Sequence, residues 1–86
     1  MVNPEGARII GKWVSDGRNR LGMTQPNFSW ATRIEQGKLS RIENGKSDVT
    51  PIELARLMRV LGSEPPWDDL ADVSPAAMGP YLSSAA

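Results

Sequence analysis

The chain contains no cysteine and no histidine among its 86 residues. Without cysteine there is neither a disulfide nor a thiolate metal site. Without histidine the commonest general base, the commonest zinc ligand and the Ser–His and Cys–His nucleophile pairs are absent. Carboxylates can still do acid–base work, but the acids are scattered and no pair is poised. The expectation is a protein that is not an enzyme and carries no metal or cofactor. No apolar run approaches the roughly 18–20 residues of a membrane span. The N-terminus shows no signal-peptide pattern. A single cytoplasmic helical domain is expected, near the lower size limit for a chain that folds without staples.

Net charge is also lacking, since ten cations balance ten anions. The balance is uneven along the chain. Residues 1–46 carry a net +4 and residues 47–86 a net −4. Salt screens charges beyond about 8–10 Å, so the local field matters more than the total.

Helix signals cover most of the chain. Asn3-Pro4-Glu5 offers a capping Asn, Pro at the first helical position and an acid in the first turn. Ala7, Ile10, Val14 and Leu21 then recur at helical spacing, with Trp13 beside them, and Gly22 closes the helix. Thr24 caps a second helix, with Phe28 and Ala31 inward and an end near Arg33. A third runs from about Gln36 to Asn44 with Leu39 and Ile42 inward, and Gly45 stops it. Ile34 plugs the turn between them. Thr50-Pro51-Ile52-Glu53 is a capping box opening a fourth helix, whose Leu54, Leu57, Met58 and Leu61 share a face before Gly62. After Pro65-Pro66, residues Trp67 to Val73 predict a short fifth helix anchored by Trp67 and Leu70. Residues 74–86, rich in Ala, Ser and Pro, read as a tail or linker stub beyond a 1–73 domain. Strand patterns and internal repeats are lacking.

The second and third helices lie back to back between Gly22 and Gly45, in the basic half. Gly22-Met23-Thr24-Gln25 opens the block and Ser40-Arg41-Ile42-Glu43-Asn44-Gly45 closes it. This block resembles the Cro/C1-type (XRE) helix-turn-helix family of phage repressors and bacterial regulators, ungapped over 24 positions. The likeness extends more loosely to about Val73. It implies an all-α, compact five-helix bundle of the lambda-repressor-like type. It also implies a sequence-specific binder of a double-stranded DNA operator, acting as a transcriptional regulator of repressor type in the nucleoid or, if phage-encoded, the host cytoplasm.

In such a family the second helix crosses the DNA backbone and the third lies in the major groove. The resemblance then assigns base contacts to Gln36, Gly37, Arg41 and Glu35. An amide at Gln36 suits adenine N6 and N7, Arg41 suits guanine O6 and N7 or a phosphate, and Glu35 either faces phosphates or accepts from cytosine N4. Phosphate contacts fall to Gln25, Lys38, Asn44 and Lys46. Arg18 and Glu43 are expected to form a structural ion pair.

Three residues depart from the family pattern. Arg33 stands where Gly commonly turns the chain, Thr32 replaces a usual core Leu, and Glu35 takes the place of a Ser, Thr or Asp cap. Trp30, off the Phe28 face, is expected to pack over Thr32, with a partner protein or the DNA backbone as its other destinations. Trp13 and Trp67 are expected in the core, and Asp68, Asp69 and Asp72 as solvated surface. A homodimer through the region after Gly62 is the expected mode of self-association. The chain could be a complete small Cro-like protein or the N-terminal piece of a longer repressor. The alternative function is a protein-interaction module of the same fold, such as an antitoxin or scaffold, using Trp30 and the Trp67–Leu82 segment as an apolar surface.

Overall fold

A computed structural model describes residues 4–73, which hold five α-helices. They are α1 (Pro4–Arg20), α2 (Gln25–Thr32), α3 (Gln36–Glu43), α4 (Pro51–Leu61) and α5 (Trp67–Ala71). The expected Asn3 cap and the 74–86 tail lie outside the described residues. Among the described residues no helix is long and apolar enough to cross a membrane.

The caps form where local chemistry places them. Thr24 Oγ1 accepts from the Asn27 N–H at 3.2 Å, with Pro26 in the first turn where no donor is needed. At α4 the box is reciprocal: Glu53 N–H donates to Thr50 Oγ1 at 3.1 Å, and Thr50 N–H to Glu53 Oε1 at 2.9 Å.

Val14, Phe28, Ile34, Leu39, Ile42, Val49, Leu57 and Leu61 form the core, with Ile10, Trp13, Met23, Leu54 and Val60 against it. Helix α1 crosses α3, α4 and α5, while α2 packs on α3 and α4. Glycine makes the α1–α3 crossing close. A Cβ at Gly11 would collide with the Ile42 carbonyl oxygen and stand 3.0 Å from that of Glu43. Gly17 makes the equivalent approach to the Leu61 side chain of α4.

The turn between α2 and α3 is built without glycine. Arg33 takes the left-handed conformation itself, at φ 58° and ψ 34°. Ile34 is buried behind it, and the Ser29 hydroxyl donates to the Ile34 carbonyl. Buried Thr32 donates to the Phe28 carbonyl at 2.8 Å, so its hydroxyl is satisfied within its own helix.

Three expected burials are overturned. Trp30 is 86% exposed and covers nothing. It lies two residues from both Phe28 and Thr32, which puts it on the far side of an α-helix from the core, and Thr32 needs no cover. Leu21 is 46% exposed because α1 stops at Arg20, and the apolar spacing loses its meaning beyond the helix end. Trp67 is 45% exposed: it is the first residue of α5, while Pro65, Leu70 and Val73 fill the space beneath that short helix.

Candidate nucleic-acid interface

Helix α3 buries Leu39 and Ile42 and so turns residues 36, 37, 41 and 44 to solvent. Glu35, at its N-cap position, makes no cap hydrogen bond and is also exposed. Gln36, Arg41 and Glu35 have no side-chain partner among the described residues. Expected base readers and solvent access therefore coincide, and Gly37 lies between the Glu35 and Arg41 side chains.

Two expected phosphate ligands are engaged within the protein. Gln25, at the first turn of α2, donates from Nε2 to Glu43 Oε1 at 3.3 Å. Lys38 Nζ lies 3.2 Å from Glu53 Oε1, joining α3 to the capping box of α4. The spacing of the capping box makes Glu53 conspicuous, but nothing local links it to Lys38. Burial pushes the Glu53 carboxyl upward, yet the Thr50 N–H and the Lys38 ammonium outweigh it and hold the group below its ordinary value.

Asn44 and Lys46 are exposed past the end of α3. Asn44 Nδ2 donates to the Ser40 carbonyl at 2.9 Å. The Lys46 N–H reaches back to the Arg41 carbonyl at 2.8 Å, over Gly45 at φ 71°. Gly45 also approaches α1 closely, since a Cβ there would stand 3.1 Å from Arg8 Cα.

Behind this surface the expected ion pair is present. Arg18 donates from Nε to Glu43 Oε2 at 2.8 Å, from Nη2 to Oε1 at 3.0 Å, and from Nη1 to the Met23 carbonyl at 2.8 Å. Side-chain exposure is 15% for Arg18 and 6% for Glu43, so solvent screens the pair little. The hydrogen bond to Glu43 raises the Arg18 pKa above its ordinary value. One guanidinium thereby ties α1 to the end of α3 and to the residue preceding the α2 cap. Breaking such a largely shielded pair from one side is destabilising, because the remaining charge is left poorly solvated.

Two short helices, a tight turn, a buried tie to α1 and an exposed outer stripe on the second helix make one recognisable unit. A family model described as a helix-turn-helix domain matches residues 17–73, two thirds of the chain. The chain belongs to the helix-turn-helix domain family. Its type is XRE, and its fold is that of a helix-turn-helix regulator. It is similar to the crystal structure of the clp gene regulator ClgR from Corynebacterium glutamicum, with a TM-score of 0.68 and 28% identity over 95% of this chain and 83% of that one. No curated protein matches it.

Within the helix-turn-helix, α2 and α3 carry the two expected functions unequally. The outer face of α3 is free of internal partners at its charged and amide groups, whereas Gln25 and Lys38 are held at the edges by acids. Trp30 stands beside the turn, against an open hollow that Arg33, Ile34 and Glu35 help to line. Among the described residues no cluster of acids is arranged to hold a metal ion.

Proposed function

We propose that this helix-turn-helix protein binds duplex DNA sequence-specifically and acts as a transcriptional regulator, a repressor by occupancy. The observation that carries the reading is the unpartnered stripe Glu35, Gln36, Gly37 and Arg41 along the exposed face of α3. Membership of the family and likeness to a gene regulator support the general function.

Helix α3 enters the major groove with its N-terminal turn on base edges, and α2 crosses the backbone. Gln36 reads adenine through N6 and N7, and Arg41 reads guanine. Asn44 and Lys46 hold phosphates beyond the end of α3. Gln25, steadied by Glu43, presents its amide to a phosphate at the N-terminus of α2, where the helix field favours an anion. Lys38 reaches the groove wall from its place beside Glu53. Self-association through the region after Gly62 pairs two such units on a palindromic site.

A gel-shift titration tests this reading with a variant carrying both Gln36→Ala and Arg41→Ala, its fold checked by circular dichroism. Affinity for the operator should fall at least tenfold and base preference should relax. Unchanged affinity and preference would remove α3 from the reading role.

One observation favours a second reading, a protein-interaction module. Trp30 is 86% exposed, and an aromatic of that size is the sort of anchor interfaces use. Trp30→Ser should leave DNA affinity intact and abolish capture of a partner if that reading holds.

A further inference from the structure

Glu35 and Arg41 both reach the space that residue 37, as glycine, leaves open on the outer face of α3. The point where a Cβ on residue 37 would stand lies 2.9 Å from Glu35 Oε1 and 3.5 Å from Arg41 Nη1. Carboxylate and guanidinium thus converge on one space. They do not close on each other: the ion pairs among the described residues are Lys12–Asp16, Arg18–Glu43 and Lys38–Glu53, all within 4.0 Å. An acceptor and a fork of donors therefore stand near one another, both exposed, with neither satisfied by the protein.

One base pair has the complementary pattern. In the major groove G·C shows two adjacent acceptors, guanine N7 and O6, beside the cytosine N4 donor. A guanidinium spans the two acceptors and a carboxylate takes the donor. On A·T the adenine N6 donor separates the two acceptors, and a methyl group follows. That order offers the fork no two adjacent acceptors to span beside the carboxylate.

We propose that Glu35 and Arg41 together read a single G·C pair, Arg41 donating to guanine N7 and O6 and Glu35 accepting from cytosine N4. Gly37 leaves the space open, and a Cβ there would make the end of the Glu35 side chain turn aside. This rests on the DNA-binding reading above and specifies which base pair the operator carries opposite residue 37. It also gives Glu35 a positive role, where an unpaired carboxylate at a DNA surface would otherwise only repel phosphates.

The test is selection from a random duplex library by the full 86-residue chain and by its Glu35→Ala, Arg41→Ala and Gly37→Ala variants. Selection is followed by titration of the selected site with each single base-pair change. Residues 35, 37 and 41 are exposed, and thermal melting of each variant is the check on its fold. The wild type should prefer G·C at one position by about tenfold or more. Glu35→Ala and Arg41→Ala should each relax that same position, with the double variant losing little further, and Gly37→Ala should weaken the preference there. The pairing is overturned if Glu35→Ala tightens binding to all sequences alike, or if the two variants relax different base pairs. Failure of the wild-type chain to enrich any sequence would instead overturn DNA binding itself, and the base assignment with it.

Discussion

Arg33 shows how a residue can occupy an unfavourable backbone conformation when its neighbours determine the path. At φ 58° it sits where an L side chain costs roughly 1–2 kcal/mol and glycine costs far less. Buried Ile34 on one side and Thr32 on the other anchor the chain around it. The Arg33 carbonyl accepts a long 3.5 Å bond from Arg56, a contact that any residue at 33 would keep. Arg33→Gly should therefore raise stability by about 0.5–1 kcal/mol, read as a higher denaturant midpoint with an unchanged slope. An unchanged or lower midpoint would mean that the arginine side chain contributes more than its backbone costs. The departure from glycine was legible in the sequence. Its resolution was not, because the Ser29–Ile34 bond that stitches the turn joins groups with no pattern of their own.

Between elements, the glycines of α1 set the distances. An added Cβ at Gly11 meets backbone oxygens of α3, which cannot move without shifting the helix. At Gly17 it meets the end of Leu61, which can rotate. Alanine also gains about 1 kcal/mol of helix propensity over glycine at either site. Gly11→Ala should lower the melting temperature through a net loss of about 1–3 kcal/mol, while Gly17→Ala should stay within about 1 kcal/mol of the parent. Equal effects at both positions would contradict this account of the α1–α3 contact. By sequence alone these glycines appear only as weak points in a helix. Their use as points of close approach exists once α3 and α4 lie across them.

The joint between α3 and α4 has a pH signature. Glu53 has a folded pKa below its unfolded value, so it contributes stability that is fully present above the unfolded pKa. That contribution fades as pH falls through the lowered folded value. The melting temperature should decline on acidification below about pH 4.5, where free glutamate is about half protonated. Glu53→Gln should flatten part of that decline, and an identical acid limb in the variant would dismiss the Lys38–Glu53–Thr50 joint as a source of stability. The capping box was plain from Thr50-Pro51-Ile52-Glu53. The Lys38 arm was not, since 15 residues separate it from its partner.

For the molecule as a whole, charge asymmetry outweighs neutrality. The basic half of the sequence contains the helix-turn-helix and the acidic half follows it, so a net charge of zero conceals an uneven distribution along the chain. With about four to six phosphates held per domain, log K should fall with log salt at a slope near −4 to −5. A flat response would exclude the phosphate backbone as the main partner. Lys46→Ala should reduce the slope by about one and weaken all sequences alike, unlike substitutions at Gln36 or Arg41.

Helix existence, caps and stops are properties of short stretches. The chain's own order of Thr24, Gly22, Thr50, Glu53 and Gly62 therefore determined five helices and their approximate ends. The helix-turn-helix spacing likewise follows from local pattern, as does the outward set Gln36, Gly37 and Arg41, because Leu39 and Ile42 must face in. Burial at helix ends was decided elsewhere. Leu21, Trp30 and Trp67 are large and apolar, yet each lies where the helix has ended, just begun, or turned its back on the core, so Leu21 and Trp67 are only half covered and Trp30 is left exposed. Pairings across the fold, Arg18 with Glu43 apart, also belonged to the tertiary structure. Gln25 with Glu43 and Lys38 with Glu53 depend on distances between atoms, which a linear pattern does not contain.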